Sequence, residues 1–206
     1  MKIITQGTAR KEVMPDVATL NFRFSARSTD RTSAVEQVNR ALSLLRAELA
    51  DADARVKSER ASTGSWLEKK VKKYEVSVSL VVESSAGETI TDLLQAGIDI
   101  ADCEVNGPYW SVSPGNPVHQ EVREAAIHEA IDRAKAYASA LNGSVVGILE
   151  IRDEEVGSID VRPVLFAAAS ARSIDSGAPL DVSSGPQPTE VSASVIATFE
   201  AGDVRV

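Results

Sequence analysis

The stretch NPVHQEVREAAIHEAIDRAKAYASALNG, residues 116–143, decides the fold. It opens on Asn116 ahead of Pro117, a side chain that accepts from free helical N–H groups followed by the residue best suited to a first helical position. It closes on Asn142-Gly143, a pair that adopts a left-handed stop at little cost. Between these ends Val118, Val122, Ala126, Ala130, Ala134, Ala138 and Leu141 recur at three and four residues, with Ile127 and Ile131 beside them, and form one apolar face. Seven alanines between Ala125 and Ala140 let that face approach a broad partner closely. The spacing therefore predicts a single long helix docked on a sheet.

Outward from this helix, strands and helices alternate. Val17 to Ala26 alternates Ala18, Leu20, Phe22 and Phe24 with Thr19, Asn21, Arg23 and Ser25, the pattern of a sheet wet on one face and covered by helices on the other. A short strand over Ile3 to Lys11, ended by Met14-Pro15-Asp16, is expected to pair with it. Ser33-Ala34-Val35-Glu36 has the spacing of a capping box, and Val35, Val38, Leu42, Leu45 and Leu49 continue as an amphipathic stripe to about Ala50. A weakly alternating strand over Val56 to Thr63 and a stronger one carrying Tyr74, Val76, Val78, Leu80 and Val82 make a hairpin with its tip over Gly64 to Lys73. Gly87 to Gly97 reads as a short helix with Thr89-x-x-Asp92 at its start and Gly97 as its stop. Val105 to Ser113 reads as a strand interrupted by Asn106-Gly107-Pro108. Beyond the long helix, Val145 to Ile151 has few polar residues, as expected of a covered strand, and Val191 to Phe199 alternates again.

This order predicts an α+β fold: two β-α-β-β-like units sharing a twisted, mainly antiparallel sheet, with the long Ala-rich helix packed on one face. One domain is expected over residues 1–206, with 1–98 and 99–206 as its halves and a long excursion over 152–189. That excursion carries the apolar segment Val161 to Ala171 between Asp153-Glu154-Glu155 and Gly/Pro-rich stretches. Val164, Leu165 and Phe166 are too apolar to stand in water, so a subunit contact is expected there, and with it a homo-oligomer or a protein partner.

Composition narrows the function. A chain of 206 residues that is 43% hydrophobic buries a sizeable core, and with 4% aromatic content that core is built of Val, Leu, Ile and Ala. A net charge of -8 and a pI near 4.9 oppose phosphate binding, so no nucleic-acid partner is expected. Cys103 stands alone and makes no internal disulfide; a buried inert thiol is the simpler reading than a reactive one. Met1-Lys2-Ile3-Ile4 runs into Thr5-Gln6-Gly7 without the apolar run of roughly 7 to 15 residues of a secretory leader. The sequence as it stands thus predicts a cytoplasmic protein, with an envelope or secreted location only behind a leader already removed. No stretch reaches the roughly 18 to 20 apolar residues of a transmembrane helix.

Chemistry is sparse. His119 and His128 lie nine residues apart, on different faces of the long helix, and do not share a metal. Glu124, His128 and Asp132 have i, i+4 spacing, yet such triplets on exposed helices are ordinarily charge pairs. Asp99, Asp102 and Glu104 lack the regular oxygen spacing of a calcium loop and read as a solvated acidic turn. There is no Gly-x-Ser-x-Gly elbow, no phosphate-binding Gly-x-x-x-x-Gly-Lys loop and no Gly-x-Gly-x-x-Gly, so neither a cofactor nor a catalytic residue is assigned and an enzyme is not expected. The alternative is a small-ligand or metal-binding domain with carboxylate-based hydrolytic chemistry using His128. The hairpin tip holds Trp66 and the run Glu68-Lys69-Lys70-Val71-Lys72-Lys73. Its lysines guard a long hairpin against edge aggregation or, with Trp66, meet an acidic surface on a neighbouring subunit or partner; nucleic acid or anionic lipid is the third reading, poorly supported by one short cluster on an acidic chain.

Several of these features together resemble the SIMPL-domain family, found widely in bacteria. They are Gly7 before Pro15-Asp16-x-Ala18-x-Leu20, Val105-x-Gly107-Pro108-x-Trp110, the series from Ala125-Ala126 through Ala130, Ala134 and Ala138 to Leu141-x-Gly143, and the closing Ala178-Pro179-Leu180 and Val191-Ser192-Ala193-Ser194-Val195 with Phe199. The resemblance implies an α+β domain of repeated β-α-β-β-type units, a tendency to form homo-oligomers, ring-like or channel-like in some envelope members, and a stress-related role in some members. It implies no catalytic residues; Pro15, Asp16, Gly107, Pro108 and Gly143 are expected as turn residues. The chain departs from the family pattern in lacking an evident signal peptide and in lacking methionines over Val161 to Ala171.

Overall fold

A computed structural model of the chain describes residues 1–154 and 185–203. Seven strands and three helices follow in the order β1 (Lys2–Val13), β2 (Val17–Ser28), α1 (Arg31–Asp51), β3 (Arg55–Glu68), β4 (Val71–Ser84), α2 (Gly87–Asp99), β5 (Cys103–Ser111), α3 (Val118–Ala140), β6 (Ser144–Glu154) and β7 (Thr189–Gly202). The fold is α+β with antiparallel pairing throughout the described ladders. The strands do not share one sheet, as the sequence order suggested. They divide into a three-stranded sheet, β1-β7-β6, and a four-stranded sheet, β3-β4-β2-β5. Each belongs to its own compact unit, and the chain passes between the units at Met14/Pro15, at Ser111/Val112 and, among the described residues, again at Gln187/Pro188.

The division follows from the partner that β1 chooses. It pairs not with β2 but with β7, over a register from Lys2↔Glu200 to Val13↔Thr189. This puts Ile3, Thr5 and Gly7 under the small-residue face of α3, together with Val195, Ala197 and Phe199. Helix α3 runs as its sequence predicts. Asn116 Oδ1 accepts from Val118 N at 3.0 Å at its start. At its end Asn142 takes the left-handed conformation, φ 54°, and the N–H groups of Asn142 and Gly143 bond back to the carbonyls of Ser139 and Ala138. Ala126, Ala130, Ala134 and Ala138 are buried, and they bring backbone so near β1 that a Cβ on Gly7 would overlap the Ala126 carbonyl. Polar groups fasten the same contact: Thr5 Oγ1 donates to the Ala130 carbonyl at 2.8 Å and Arg133 Nη1 to the Gln6 carbonyl at 2.8 Å.

Strand β6 is a second correction. Its apolar residues suggested a covered strand, but α3 lies over β1 and β7, and β6 is left as an edge with Val146, Ile148, Leu149 and Ile151 exposed. Two bulges, at Val145/Gly147 and Ile148/Glu150, interrupt its ladder, a device that discourages a foreign strand from pairing with it.

In the four-stranded unit, α1 and α2 cover the face formed by Leu20, Phe22, Phe24, Val76, Val78, Leu80 and Val82. Helix α1 starts three residues earlier than the capping-box reading of Ser33 implies. Asp30 is the cap, accepting from Ser33 N at 2.8 Å and from Ser33 Oγ at 2.9 Å, so Ser33 donates where it was expected to accept. Helix α2 begins after Ala86 with no side-chain cap, and Gly97 lies buried inside it instead of ending it, because the helix packs there against Phe22 and Val105. Strand β5 continues through Asn106-Gly107-Pro108, absorbing the irregularity as a shift of register opposite Thr19 and Asn21. Gly107, at φ 123° and with the Thr19 carbonyl where a Cβ would stand, has no room for a side chain.

Candidate functional site

The hairpin β3–β4 sets the geometry of the site. Strand β2 pairs with β4 only as far as Ser28↔Tyr74, whereas β3 and β4 continue to Glu68↔Val71. Three residue pairs thus run past the body of the sheet, an overhang of about 10 Å. Strand β3 is exposed along all 14 of its residues, because it is an edge strand and α1 packs on β2 and β4. The sequence placed the tip over Gly64 to Lys73; the strands in fact run to a two-residue turn, Lys69-Lys70, with φ of 49° and 68°. Both lysines are in the left-handed region, the geometry of the tight hairpin turn that Asn-Gly favours.

Apolar and basic side chains share this tip. Leu67 is 74% exposed and Trp66 37%, and Val71 is exposed beside them. The Arg27 guanidinium lies 5.7 Å from the Trp66 ring centre and pairs with Glu75 at 2.9 Å, and Lys72 Nζ is 5.3 Å from the ring centre of Tyr74. Lys73 pairs with Glu68 at 2.5 Å and holds that carboxyl below its ordinary pKa, first by hydrogen bonding and then by charge. At the root of the arm Glu83 accepts from Lys57 and from Arg55, which hold its carboxyl low in the same way. Lys69 and Lys70 make no ion pair among the described residues. The structure therefore brings together Trp66, Lys69, Lys70, Lys72 and Lys73 of the expected contact set. Val164, Leu165 and Phe166, together with the rest of Val161 to Ala171, lie outside the described residues.

The opposite edge of the same sheet carries the other sign of charge. On α2, Glu88, Asp92 and Asp99 recur at i, i+4 and i+11 on the face turned away from buried Ile90, Leu93 and Gly97, and exposed Asp102 and Glu104 follow in the turn and at the start of β5. Beside them, between α1 and the end of α2, is a hollow of about 330 Å³ lined chiefly by Ala41, Leu44, Ile100 and Ala101, with Arg40 and Asp102 at its rim. Sequence reasoning saw Asp99, Asp102 and Glu104 only as a solvated turn. The helical spacing of Glu88, Asp92 and Asp99 was the signal that would have extended them into a surface.

The remaining candidates separate. Glu124 accepts from Gln120 at 2.7 Å, Asp132 pairs with Lys135 at 3.5 Å, and His119 Nε2 lies 3.1 Å from the Ser113 carbonyl, to which it donates. Among the described residues no group of three or more His, Cys, Asp or Glu side chains is placed to hold a metal ion. Cys103 is half-buried, and burial, reinforced by the charge of Glu104, pushes its thiol up to about 11. No helix of the described residues is long and apolar enough to cross a membrane.

Comparison with curated proteins finds no significant sequence match. Among solved structures, a provisionally named amidohydrolase/peptidase from Burkholderia cenocepacia aligns with a TM-score of 0.26 and 12% identity, over 62% of this chain and 35% of that one. An unknown protein from Galdieria sulphuraria aligns with a TM-score of 0.24 and 13% identity, over 88% of this chain and 81% of that one. The profile of the SIMPL family, proteins of unknown function (DUF541), matches residues 3–199, nearly the whole sequence, and the chain belongs to that family.

Proposed function

We propose that the protein works without chemistry of its own, through assembly with copies of itself or with a protein partner. The observation that carries this reading is the arm: β3 stands in solvent over its full length, and the overhang ends in Trp66, Leu67 and Val71. A two-stranded ribbon is marginal by itself in water, and Leu67 and Val71, exposed at its free end, add little to the fold of the body. They gain a role when a second surface covers them. A stress-related role, implied by the family resemblance alone, would be exerted through that contact.

Light scattering of the full chain over a wide concentration range tests the reading. A defined mass that is a multiple of 21.9 kDa is expected at low ionic strength. A single-chain mass at every concentration removes self-assembly, and a chain from which the arm is trimmed to a short turn without loss of mass removes the arm from it.

A further inference from the structure

The geometry points to a specific partner for the arm: the basic tip of one copy docks head-to-tail on the acidic α2–β5 edge of a second copy, with Trp66 seated in the hollow beside Asp102. This inference rests on the assembly reading above and names its surfaces.

Charge separation across one sheet is the first argument. Residues 55–73 hold seven Lys or Arg against Glu59 and Glu68, a local excess of +5 in a chain of net charge -8. The span from Glu88 to Glu104 holds five carboxylates and no Lys or Arg. In the order β3-β4-β2-β5 these surfaces occupy opposite edges, with two strands between them, about 14 Å of sheet. Such a separation keeps them from meeting within one chain, whereas two copies present them to one another. Among the described residues Lys69 and Lys70 on the arm, and Glu88, Asp92, Asp102 and Glu104 on the edge, make no ion pair, so these charges remain to be met from outside.

Shape is the second argument. The tip offers Trp66, with Val71 on the same face of the ribbon, as a projecting apolar group, and the receiving edge offers a hollow of about 330 Å³ walled by Ala41, Leu44, Ile100 and Ala101, enough for an indole. Arg40 is the one basic residue among those lining it, and a guanidinium there suits the face of an indole, as the contact of Arg27 of β2 with Trp66 shows. The hollow also lies at the C-terminal end of α2, the negative end of the helix dipole, which favours cations. A buried aromatic anchor ringed by complementary charge is the usual composition of a contact that carries binding energy.

The turn is the third argument. Two consecutive non-glycine residues in the left-handed region oppose folding, and lysine has no special tolerance for it. Asn-Gly would make the same turn with less strain. Lysines held there serve charge at the end of the arm more than the turn itself.

Because the two surfaces differ, the contact is heterologous and propagates from copy to copy, closing into a ring or continuing as a filament according to the rotation between neighbours. Charge reversal in two variants tests it, read by light scattering at low salt with circular dichroism to verify folding. One carries Lys69→Glu, Lys70→Glu and Lys72→Glu; the other carries Asp92→Lys, Asp99→Lys and Glu104→Lys. Each alone is expected to weaken self-association by about tenfold or more, and an equimolar mixture to restore it, since each then meets its complement. A third variant, Lys69→Ser with Lys70→Ser and Lys72→Ser, separates docking from simple protection of an edge: docking predicts weaker association and protection predicts stronger. A monomeric full chain would overturn this inference and self-assembly with it, leaving only the protein partner of the reading above. An oligomer indifferent to both reversals, or one that Lys→Ser substitution strengthens, would overturn this docking and leave assembly standing.

Discussion

Gly7 shows how a single residue decides a packing distance. Its missing Cβ lets β1 lie against the backbone of α3 at Ala126 and Ala130, with Thr5 and Gln6 just before it bonded to the helix. Gly7→Ala forces the strand outward, and a loss of about 2–3 kcal/mol with a fall in Tm of about 5 °C or more is expected by thermal denaturation. Glu83 gives a pH dependence. Lys57 and Arg55 lower its folded-state pKa below the ordinary 4.5, so its contribution to stability is present above that value and is lost as pH falls through the lowered one. Glu83→Gln should therefore cost about 1 kcal/mol at neutral pH, because both partners stand in solvent, and nothing in strong acid; urea midpoints at the two pH values measure the difference. Cys103, with its thiol at about 11, should alkylate with iodoacetamide at pH near 8 at least about tenfold more slowly than in the urea-unfolded chain. At this scale the sequence was informative wherever a residue type has a single use. Asn142-Gly143 was legible as a stop, although Asn142, not Gly143, takes the left-handed position. Ser33 was misread because Asp30, a better acceptor one turn earlier, claims the free N–H groups first.

Elements were more legible than their neighbours. Periodicity located each helix and strand to within a few residues, since alternation and a three-to-four spacing are local properties of the chain. Pairing is not local: β1 lies beside β2 in sequence yet runs along β7, nearly two hundred residues away, and no pattern within β1 states that choice. The same blindness made β6 look covered, because apolar content does not tell whether α3 reaches that far across the sheet. The arm was legible as a basic hairpin because its lysines form one run, whereas its acidic counterpart is spread over a helix, a turn and a strand. A prediction belongs to this element. Replacing Lys69-Lys70 by Asn-Gly should stabilise the hairpin by up to about 1 kcal/mol, seen as a higher urea midpoint, while weakening self-association.

At the scale of the molecule, the two compact units differ in how the chain supplies them. All strands and helices of the four-stranded unit come from the continuous stretch Pro15–Ser111, while the three-stranded unit draws β1 from one end of the chain and α3, β6 and β7 from the other. Residues 15–111 alone are therefore expected to unfold cooperatively in a thermal melt followed by circular dichroism, whereas deleting β1 should leave Ala126, Ala130 and Phe199 uncovered and abolish the transition of the other unit. Neither this nesting nor the separation into two sheets was evident from the order of elements, which is equally compatible with consecutive halves. The β1–β7 ladder has one further consequence. The Met1 ammonium donates to the Ala201 carbonyl at 2.7 Å, so the two ends of the ladder leave it side by side. A force pulling those ends apart acts across the strands and loads their hydrogen bonds one at a time, like a zip, where a pull along the strands would load them all together. The seam that closes the three-stranded sheet is thus its weakest line under tension, and single-molecule pulling from the two ends should open it at low force before the four-stranded unit yields.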